Sequence, residues 1–185
     1  MCRKDYFYSV TFLLVLIMKY QESYFFCSEK LFRNVDELHE VFSCIDSIKW
    51  LPEFEIEQNG IQYKHQTAAY NNAFDIEFFK YNWKSKPMLC ENPKFIGNYQ
   101  KNDIFVEIEF GSSATIYCDY YKFYYGLTQN LLSLAVLIVP TTPKDFFPTS
   151  SAYISNIADF DFAYRIFKLL PIPVPILLIG LLPEN

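Results

Sequence analysis

Two uninterrupted apolar runs near the carboxyl end constrain the fold of this chain most strongly. They are Leu134 to Val139 (LAVLIV) and Ile176 to Leu181 (ILLIGL). Strands that are apolar on both sides are typical of a sheet that helices cover on both faces. The second run follows Pro171, Pro173 and Pro175, and prolines at that spacing exclude a helix. We therefore predict two buried strands, the second of them entered by an extended segment.

The chain before and between these strands contains apolar residues at helical spacing and residues typical of turns. Asn34 is a suitable N-cap for one helix, and Asn71 and Asn72 for another. Asn59-Gly60 lies between two short alternating runs and predicts a hairpin. Residues 141–151 are rich in Thr, Pro and Ser and predict a loop. The predicted helices cover 35–48, 71–83, 112 or 113 to 125, and 153–170. This order of elements predicts an α/β fold with a mixed β-sheet flanked by helices.

Composition supports one globular domain. Of the 185 residues, 51% are hydrophobic and 20% are charged, which excludes a disordered tail, a collagen-like fibre and a charged coiled coil. The net charge of −5 argues against a generic basic nucleic-acid coat, although a locally basic cleft stays open. The five cysteines include no C-x-x-C pair, and neither histidine has metal-ligand spacing with a cysteine. We therefore expect reduced thiols and a cytoplasmic protein.

The amino terminus leaves two alternatives open. Val10 to Met18 is almost wholly apolar and follows Arg3 and Lys4, as in a signal peptide. The run is too short to span a bilayer, so we expect no stable membrane association. No A-x-A-like cleavage site follows it, which argues against a signal peptide. One alternative is a secreted or membrane-associated interaction protein. The other is a leader, residues 1–17, added by an early start codon, with 18–185 as a single domain.

A third strand carries the residues that could perform chemistry. From Ile104 to Phe110 apolar residues alternate with Phe105, Glu107 and Glu109, so both carboxylates leave one face. The opposite face is apolar and must pack in the core. Two carboxylates one strand repeat apart can bind Mg²⁺, which would polarise a phosphate and generate hydroxide, while one acid orients or deprotonates water. The same alternation also fits an ordinary solvated surface.

Two neighbouring features favour a site. Phe105 shares the face of the acids, so that face is not fully exposed to water. The stretch 80–101 contains one acid, Glu91, against five lysines: Lys80, Lys84, Lys86, Lys94 and Lys101. Such a stretch in an acidic chain suits phosphate steering, although it also fits a solvated loop. The sequence contains no P-loop, G-x-G-x-x-G or H-E-x-x-H motif.

The segment from Asn98 to Gly111 (NYQKNDIFVEIEFG) resembles the active-site strand of type II restriction endonucleases of the BglII/BstYI kind. These enzymes have the PD-(D/E)xK nuclease fold. Similar segments follow the same order along residues 18–183: 18–24, 72–83, 121–123, 137–141, 150–151 and 172–180. The resemblance implies a homodimeric, Mg²⁺-dependent enzyme that cuts a short palindrome in double-stranded DNA. A cognate DNA methyltransferase is then expected in the same restriction-modification system.

The resemblance also implies roles for individual residues. Glu107 matches the metal-binding acid, Ile108 would offer its carbonyl oxygen to the metal, and Glu109 fills the position usually held by lysine. Ser112 and Lys122 match positions where relatives carry polar or basic residues, and Ser150 and Ser151 lie in a loop similar to one that reaches base edges. Together with the lysine-rich stretch, this predicts the DNA contacts Lys101, Ser112, Lys122, Ser150 and Ser151.

One position departs from the family pattern. The first metal-binding aspartate of the family lies nine residues before the glutamate, where this chain has Asn98. Asparagine keeps an oxygen acceptor but loses the charge. Asp103 is close in sequence but immediately precedes the strand. Three alternatives follow: a slow enzyme, a repositioned acid, or a catalytically impaired DNA-binding homologue.

Overall fold

The computed structural model describes residues 19–26, 32–48, 54–63, 66–147 and 156–182. Its ten strands are β1 (Lys19–Phe25), β2 (Ile56–Gln58), β3 (Ile61–Tyr63), β4 (Lys84–Ser85), β5 (Met88–Cys90), β6 (Phe95–Ile96), β7 (Tyr99–Lys101), β8 (Ile104–Ile108), β9 (Leu134–Pro140) and β10 (Ile176–Leu182). The α-helices that lie within these ranges are α1 (Asp36–Ser47), α2 (Thr67–Lys80), α3 (Thr115–Thr128), α4 (Pro143–Phe146) and α5 (Phe160–Leu169). The predicted leader and the predicted contacts Ser150 and Ser151 lie outside the described residues.

A six-stranded mixed sheet forms the centre, in the order β1-β10-β9-β8-β7-β4. The three middle strands β8, β9 and β10 run parallel, and β1, β7 and β4 pair antiparallel to their neighbours. Both predicted apolar runs are confirmed as buried strands at the sheet centre. They are apolar on both sides because helices cover both faces.

The two faces of the sheet pack into separate cores. Side chains of α1 and α2 pack on the face that contains Val106 of β8. Side chains of α3 and α5 pack on the other face, which contains Phe105. The predicted alternation of β8 is therefore confirmed, and the acidic face of this strand is turned toward α3. None of the helices in the described ranges combines the length and apolar character that a bilayer crossing requires.

The predicted hairpin is confirmed, with Asn59 and Gly60 in the turn between β2 and β3. Both turn residues have positive φ, 54° and 74°, the backbone that the Asn-Gly pair favours. The loop predicted over 141–151 contains a short helix, α4, which the Thr-Pro-Ser composition did not indicate.

Several predicted helix ends are wrong. Val35 rather than Asn34 occupies the N-cap of α1, and α2 begins at Thr67, so Asn71 and Asn72 lie inside it. Packing explains the longer α2, because Tyr70 in its first turn is fully buried against an aromatic cluster. Such burial outweighs the low helix propensity of asparagine.

Helix α5 begins at Phe160, later than the predicted Tyr153. Within the described residues before it, Ile157 and Ala158 are held against the segment before α3, because Ser112 forms a β-bridge with Ile157 and Ala158 N–H donates to the Gly111 carbonyl. The Asp159 side chain then accepts a hydrogen bond from Phe162 N–H at 2.7 Å and caps the helix.

Replacing Asp159 with Ala is expected to cost about 1 kcal/mol of unfolding free energy, because the cap bond is lost. Urea unfolding followed by circular dichroism measures this cost. Asp161→Ala is the matched control, since Asp161 is an exposed acid in the first turn of the same helix. Equal losses in the two variants would show that the charge near the helix end, rather than the cap, matters.

Candidate active site

The candidate site lies where β7 and β8 separate. Their pairing runs from Lys101↔Ile104 to Tyr99↔Val106 and stops there, so Asn98 and Glu107 face each other just beyond it. Asn98 N–H donates to Glu107 Oε1 at 3.2 Å, and Asn98 Oδ1 accepts a hydrogen bond from Ile108 N–H at 2.7 Å. The structure therefore brings together the three residues that were predicted to hold the metal.

A glycine allows this close approach. A Cβ atom on Gly97 would lie 2.8 Å from Glu107 Oε1 and 3.2 Å from the Pro87 ring. A side chain at position 97 would therefore displace the Glu107 carboxylate, and the lack of a Cβ there leaves room for it beside the strand.

Helix α3 supplies the other partners of Glu107. Lys122 Nζ donates to Glu107 Oε2 at 2.9 Å and to Asp119 Oδ1 at 2.8 Å. Both acidic side chains are only 2% exposed, and Lys122 is 16% exposed. The solvated-surface alternative is therefore wrong for Glu107, which lies in a buried charge cluster with one ammonium between two carboxylates.

Burial dominates the proton equilibria of this cluster. Desolvation and the nearby Asp119 carboxylate raise the pKa of Glu107 to about 8, although Lys122 opposes the shift. Desolvation also raises the pKa of Asp119 to about 6, again against Lys122, with a further increase from Glu109. For Lys122 desolvation lowers the pKa, but the two carboxylates outweigh it and the net shift is upward. The three groups therefore titrate together, because the protonation of each one depends on the charge of the other two.

The raised pKa of Glu107 predicts a pH dependence of stability. A carboxyl group whose pKa rises from 4.5 to about 8 on folding holds its proton better when folded, so its contribution is lost as pH rises across that window. The unfolding free energy measured between pH 5 and pH 8 should therefore fall more steeply in the wild type than in Glu107→Gln. Parallel curves for the two proteins would contradict the shift.

Glu109 follows the last residue of β8 and is partly exposed. Its Oε1 accepts a hydrogen bond from Gly111 N–H at 2.6 Å. The two predicted catalytic glutamates thus differ in surroundings, one sealed under α3 and the other near solvent. A partly exposed carboxylate remains accessible to water.

A polar cavity of about 230 Å³ adjoins the Asn98 side of the site. Its lining includes Asn98, Ile108 and Lys86, together with Asp75 of α2. The Asp75 carboxylate accepts a hydrogen bond from the Tyr99 hydroxyl at 2.6 Å. This cavity is large enough for several water molecules beside Asn98 and Ile108, two of the three predicted metal-site residues.

The predicted DNA contacts are dispersed. Lys101 lies at the far end of the β7–β8 hairpin, where its ammonium binds Glu40 at 2.6 Å. Ser112 is exposed just before α3, and its carbonyl accepts a hydrogen bond from Thr115 N–H. Asp103 is exposed in the turn before β8, at the opposite end of that strand from Glu107.

Lysines of the basic stretch also differ in their surroundings. Lys80 pairs with Glu77 at 2.6 Å. Lys84, Lys86 and Lys94 are exposed, and within the described part of the chain they form no ion pair. Of these three lysines, Lys86 lines the cavity beside Asn98 and Ile108 and so brings positive charge to the site.

Sequence reasoning missed Asp119. The only signal was an acid three residues before Lys122 in a helix otherwise rich in aromatic residues, a spacing that also fits an exposed surface pair. Which side of α3 is buried depends on its docking on the sheet, so the contact with Glu107 emerges only in the folded chain.

Comparisons with known proteins identify the fold and the family. The solved structure of restriction endonuclease BglII, crystallised with a DNA 16-mer, matches with a TM-score of 0.71 and 14% identity over 91% of this chain and 78% of that one. The fold is therefore that of a restriction endonuclease, as predicted. No curated protein matches the sequence.

The family model described as restriction endonuclease BglII/BglIII matches residues 20–181. The chain belongs to this family and is a type II restriction endonuclease, a site-specific deoxyribonuclease. The family resemblance inferred from the segment 98–111 is thereby confirmed, and the alternative of an unrelated secreted interaction protein is not supported.

Proposed function

We propose that this enzyme hydrolyses both strands of double-stranded DNA at a short palindrome, as a homodimer and with Mg²⁺. The observation that carries the proposal is the buried Glu107 carboxylate at the open end of the β7–β8 hairpin, beside Asn98, Ile108 and Lys122. A buried acid held by a main-chain donor and an ammonium is a preorganised group and not a surface residue.

The donor atoms suit a magnesium ion. Mg²⁺ prefers oxygen ligands and is usually bound by one or two carboxylates, with water and substrate phosphate completing its shell. Glu107 would hold it with the Ile108 carbonyl and the Asn98 side-chain oxygen, and Asp119 has a buried carboxylate oxygen with no partner among the described residues. When bound, Mg²⁺ polarises the phosphate and lowers the pKa of water.

Glu109 and Lys122 complete the predicted chemistry. Glu109 is partly exposed and able to take a proton from the attacking water or to orient it. The Lys122 ammonium neutralises part of the charge on Glu107 and, as a cation, would also stabilise the negative charge of a scissile phosphate.

DNA is the substrate that the surroundings favour. BglII was crystallised with a DNA 16-mer. In this chain Lys84, Lys86 and Lys94 are exposed, and Lys86 lines the cavity beside Asn98. Lys101, Ser112, Ser150 and Ser151 remain predicted contacts. Positive charge steers a phosphate backbone, whereas base edges must be read by polar side chains.

The biological setting follows from the same proposal. A palindromic site matches the two-fold symmetry of a homodimer. A cell that makes such an enzyme must protect its own DNA, so we expect a cognate DNA methyltransferase and a cytoplasmic restriction-modification system.

Incubation with mixed-sequence plasmid DNA tests the activity. We expect discrete fragments with Mg²⁺ and none with EDTA. Random degradation would contradict site-specific cleavage. Sedimentation of the protein, alone and bound to an oligonucleotide that contains the identified cleavage site, then tests the dimer.

A catalytically impaired DNA-binding homologue is the second candidate, favoured by Asn98 at the position of the family aspartate. It predicts tight DNA binding without cleavage in Mg²⁺ or Mn²⁺. Asn98→Asp should then restore cleavage, because it returns the missing charge next to Glu107.

A further inference from the structure

The cluster below α3 contains two carboxyl groups but only one ammonium. Glu107 and Asp119 are both 2% exposed, and Lys122 is the one ammonium between them. Among the described residues, Asp119 Oδ2 is buried without a hydrogen-bond partner. A buried carboxylate oxygen without a partner is costly, and such groups in native proteins commonly serve a bound ion or a catalytic role.

Asn98 is a poor source of the missing ligand charge. Its side chain is neutral, and its Oδ1 already accepts a short hydrogen bond from Ile108 N–H at 2.7 Å. Asp103 cannot supply that charge either, because it lies at the opposite end of β8 from Glu107. Asp119 is different, because it approaches Glu107 from the helix that covers the acidic face of that strand.

Lys122 marks the point between the two acids. Its Nζ lies 2.9 Å from Glu107 Oε2 and 2.8 Å from Asp119 Oδ1. The two carboxylate oxygens are therefore separated by no more than the sum of these distances. Two carboxylate oxygens this close together can also bind one divalent cation if the ammonium moves aside.

We infer that Asp119 is the repositioned acid of this enzyme: it replaces the aspartate absent at position 98 and holds the divalent cation together with Glu107. The inference rests on the proposed function and names its second metal ligand. No three Asp, Glu, His or Cys side chains in the described ranges are arranged as a ready metal cage. Two carboxylates with water and phosphate suffice for Mg²⁺.

Titration calorimetry with Mn²⁺ on the DNA-free protein tests the inference without an activity readout. Asp119→Asn keeps the size of the side chain and removes its charge, so it should weaken Mn²⁺ binding by at least about tenfold. Asp161→Asn is the control, because Asp161 is an exposed aspartate on another helix. Wild-type affinity in Asp119→Asn, or no binding to the wild type at all, would overturn the inference.

A second variant tests the same ligand assignment through thermal stability, by removing the ammonium and keeping both acids. Lys122→Met removes the competing ammonium and leaves both carboxylates, so Mg²⁺ should raise its thermal midpoint by more than it raises that of the wild type. Lys80→Met, which removes an exposed ammonium from the Glu77 pair, should respond to Mg²⁺ as the wild type does. A response of Lys122→Met no larger than that of the wild type would also overturn the inference.

Failure of the inference can be separated from failure of the proposed function. Metal-dependent cleavage that Asp119→Asn leaves unchanged, with unchanged Mn²⁺ affinity, overturns the ligand assignment but keeps the nuclease. Mn²⁺ binding that depends on Asp119 in a protein that cuts no DNA supports the ligand assignment and points to the impaired homologue.

Discussion

Glu107→Gln is expected to lower the rate of Mg²⁺-dependent plasmid cleavage by about a thousandfold or more. Glutamine has nearly the size of glutamate, so it can still fill the space beside Gly97 and accept a hydrogen bond from Asn98 N–H. What it loses is the charge that attracts the metal and pairs with Lys122. Gel analysis of single-turnover reactions measures the rate.

Measuring DNA affinity distinguishes a defect in the cleavage step from a defect in DNA binding. DNA affinity of Glu107→Gln, measured by mobility shift in Ca²⁺ or without metal, should stay near that of the wild type. Glu91→Gln, which removes an exposed carboxylate between β5 and β6, is the matched control and should cleave normally. Full cleavage activity in Glu107→Gln would show that Glu107 is not the metal-binding acid of the proposed site.

Lys122→Met is expected to lower the unfolding free energy by about 3 kcal/mol at pH 8 in EDTA. Methionine keeps the apolar stem of the side chain but leaves Glu107 and Asp119 buried together without a counter-charge. Removing one member of a buried ion cluster costs far more than removing a surface charge. Urea unfolding measures the difference.

If the lost counter-charge causes the stability deficit of Lys122→Met, two further results are expected. Lys80→Met, the control at an exposed pair, should change stability by less than about 0.5 kcal/mol. The deficit of Lys122→Met should also shrink from pH 8 to pH 5, because Glu107 and Asp119 take up protons and no longer repel each other. A deficit that is constant across this range would indicate lost packing.

Local patterns in the sequence predicted the strands and the hairpin. The apolar runs of β9 and β10, the alternation of β8 and the Asn-Gly turn each depend on neighbours within a few residues, and each is confirmed. Helix ends were predicted less well. The start of α2 depends on a pocket for Tyr70 that residues from distant parts of the chain build, such as Phe54 and Phe146.

Part of the candidate site could likewise be predicted from local sequence, and part depends on tertiary contacts. Its strand, Glu107 beside Glu109 on one face, follows from the two-residue period of a β-strand and could be predicted from the chain alone. That period does not tell whether the acidic face meets water or another element. Only the docking of α3 buries Glu107, places Lys122 on it and brings Asp119 alongside, because these contacts join residues that the intervening chain must fold to connect. The sequence by itself therefore determined which strand carries the acids, while the tertiary structure decided their partners and their protonation.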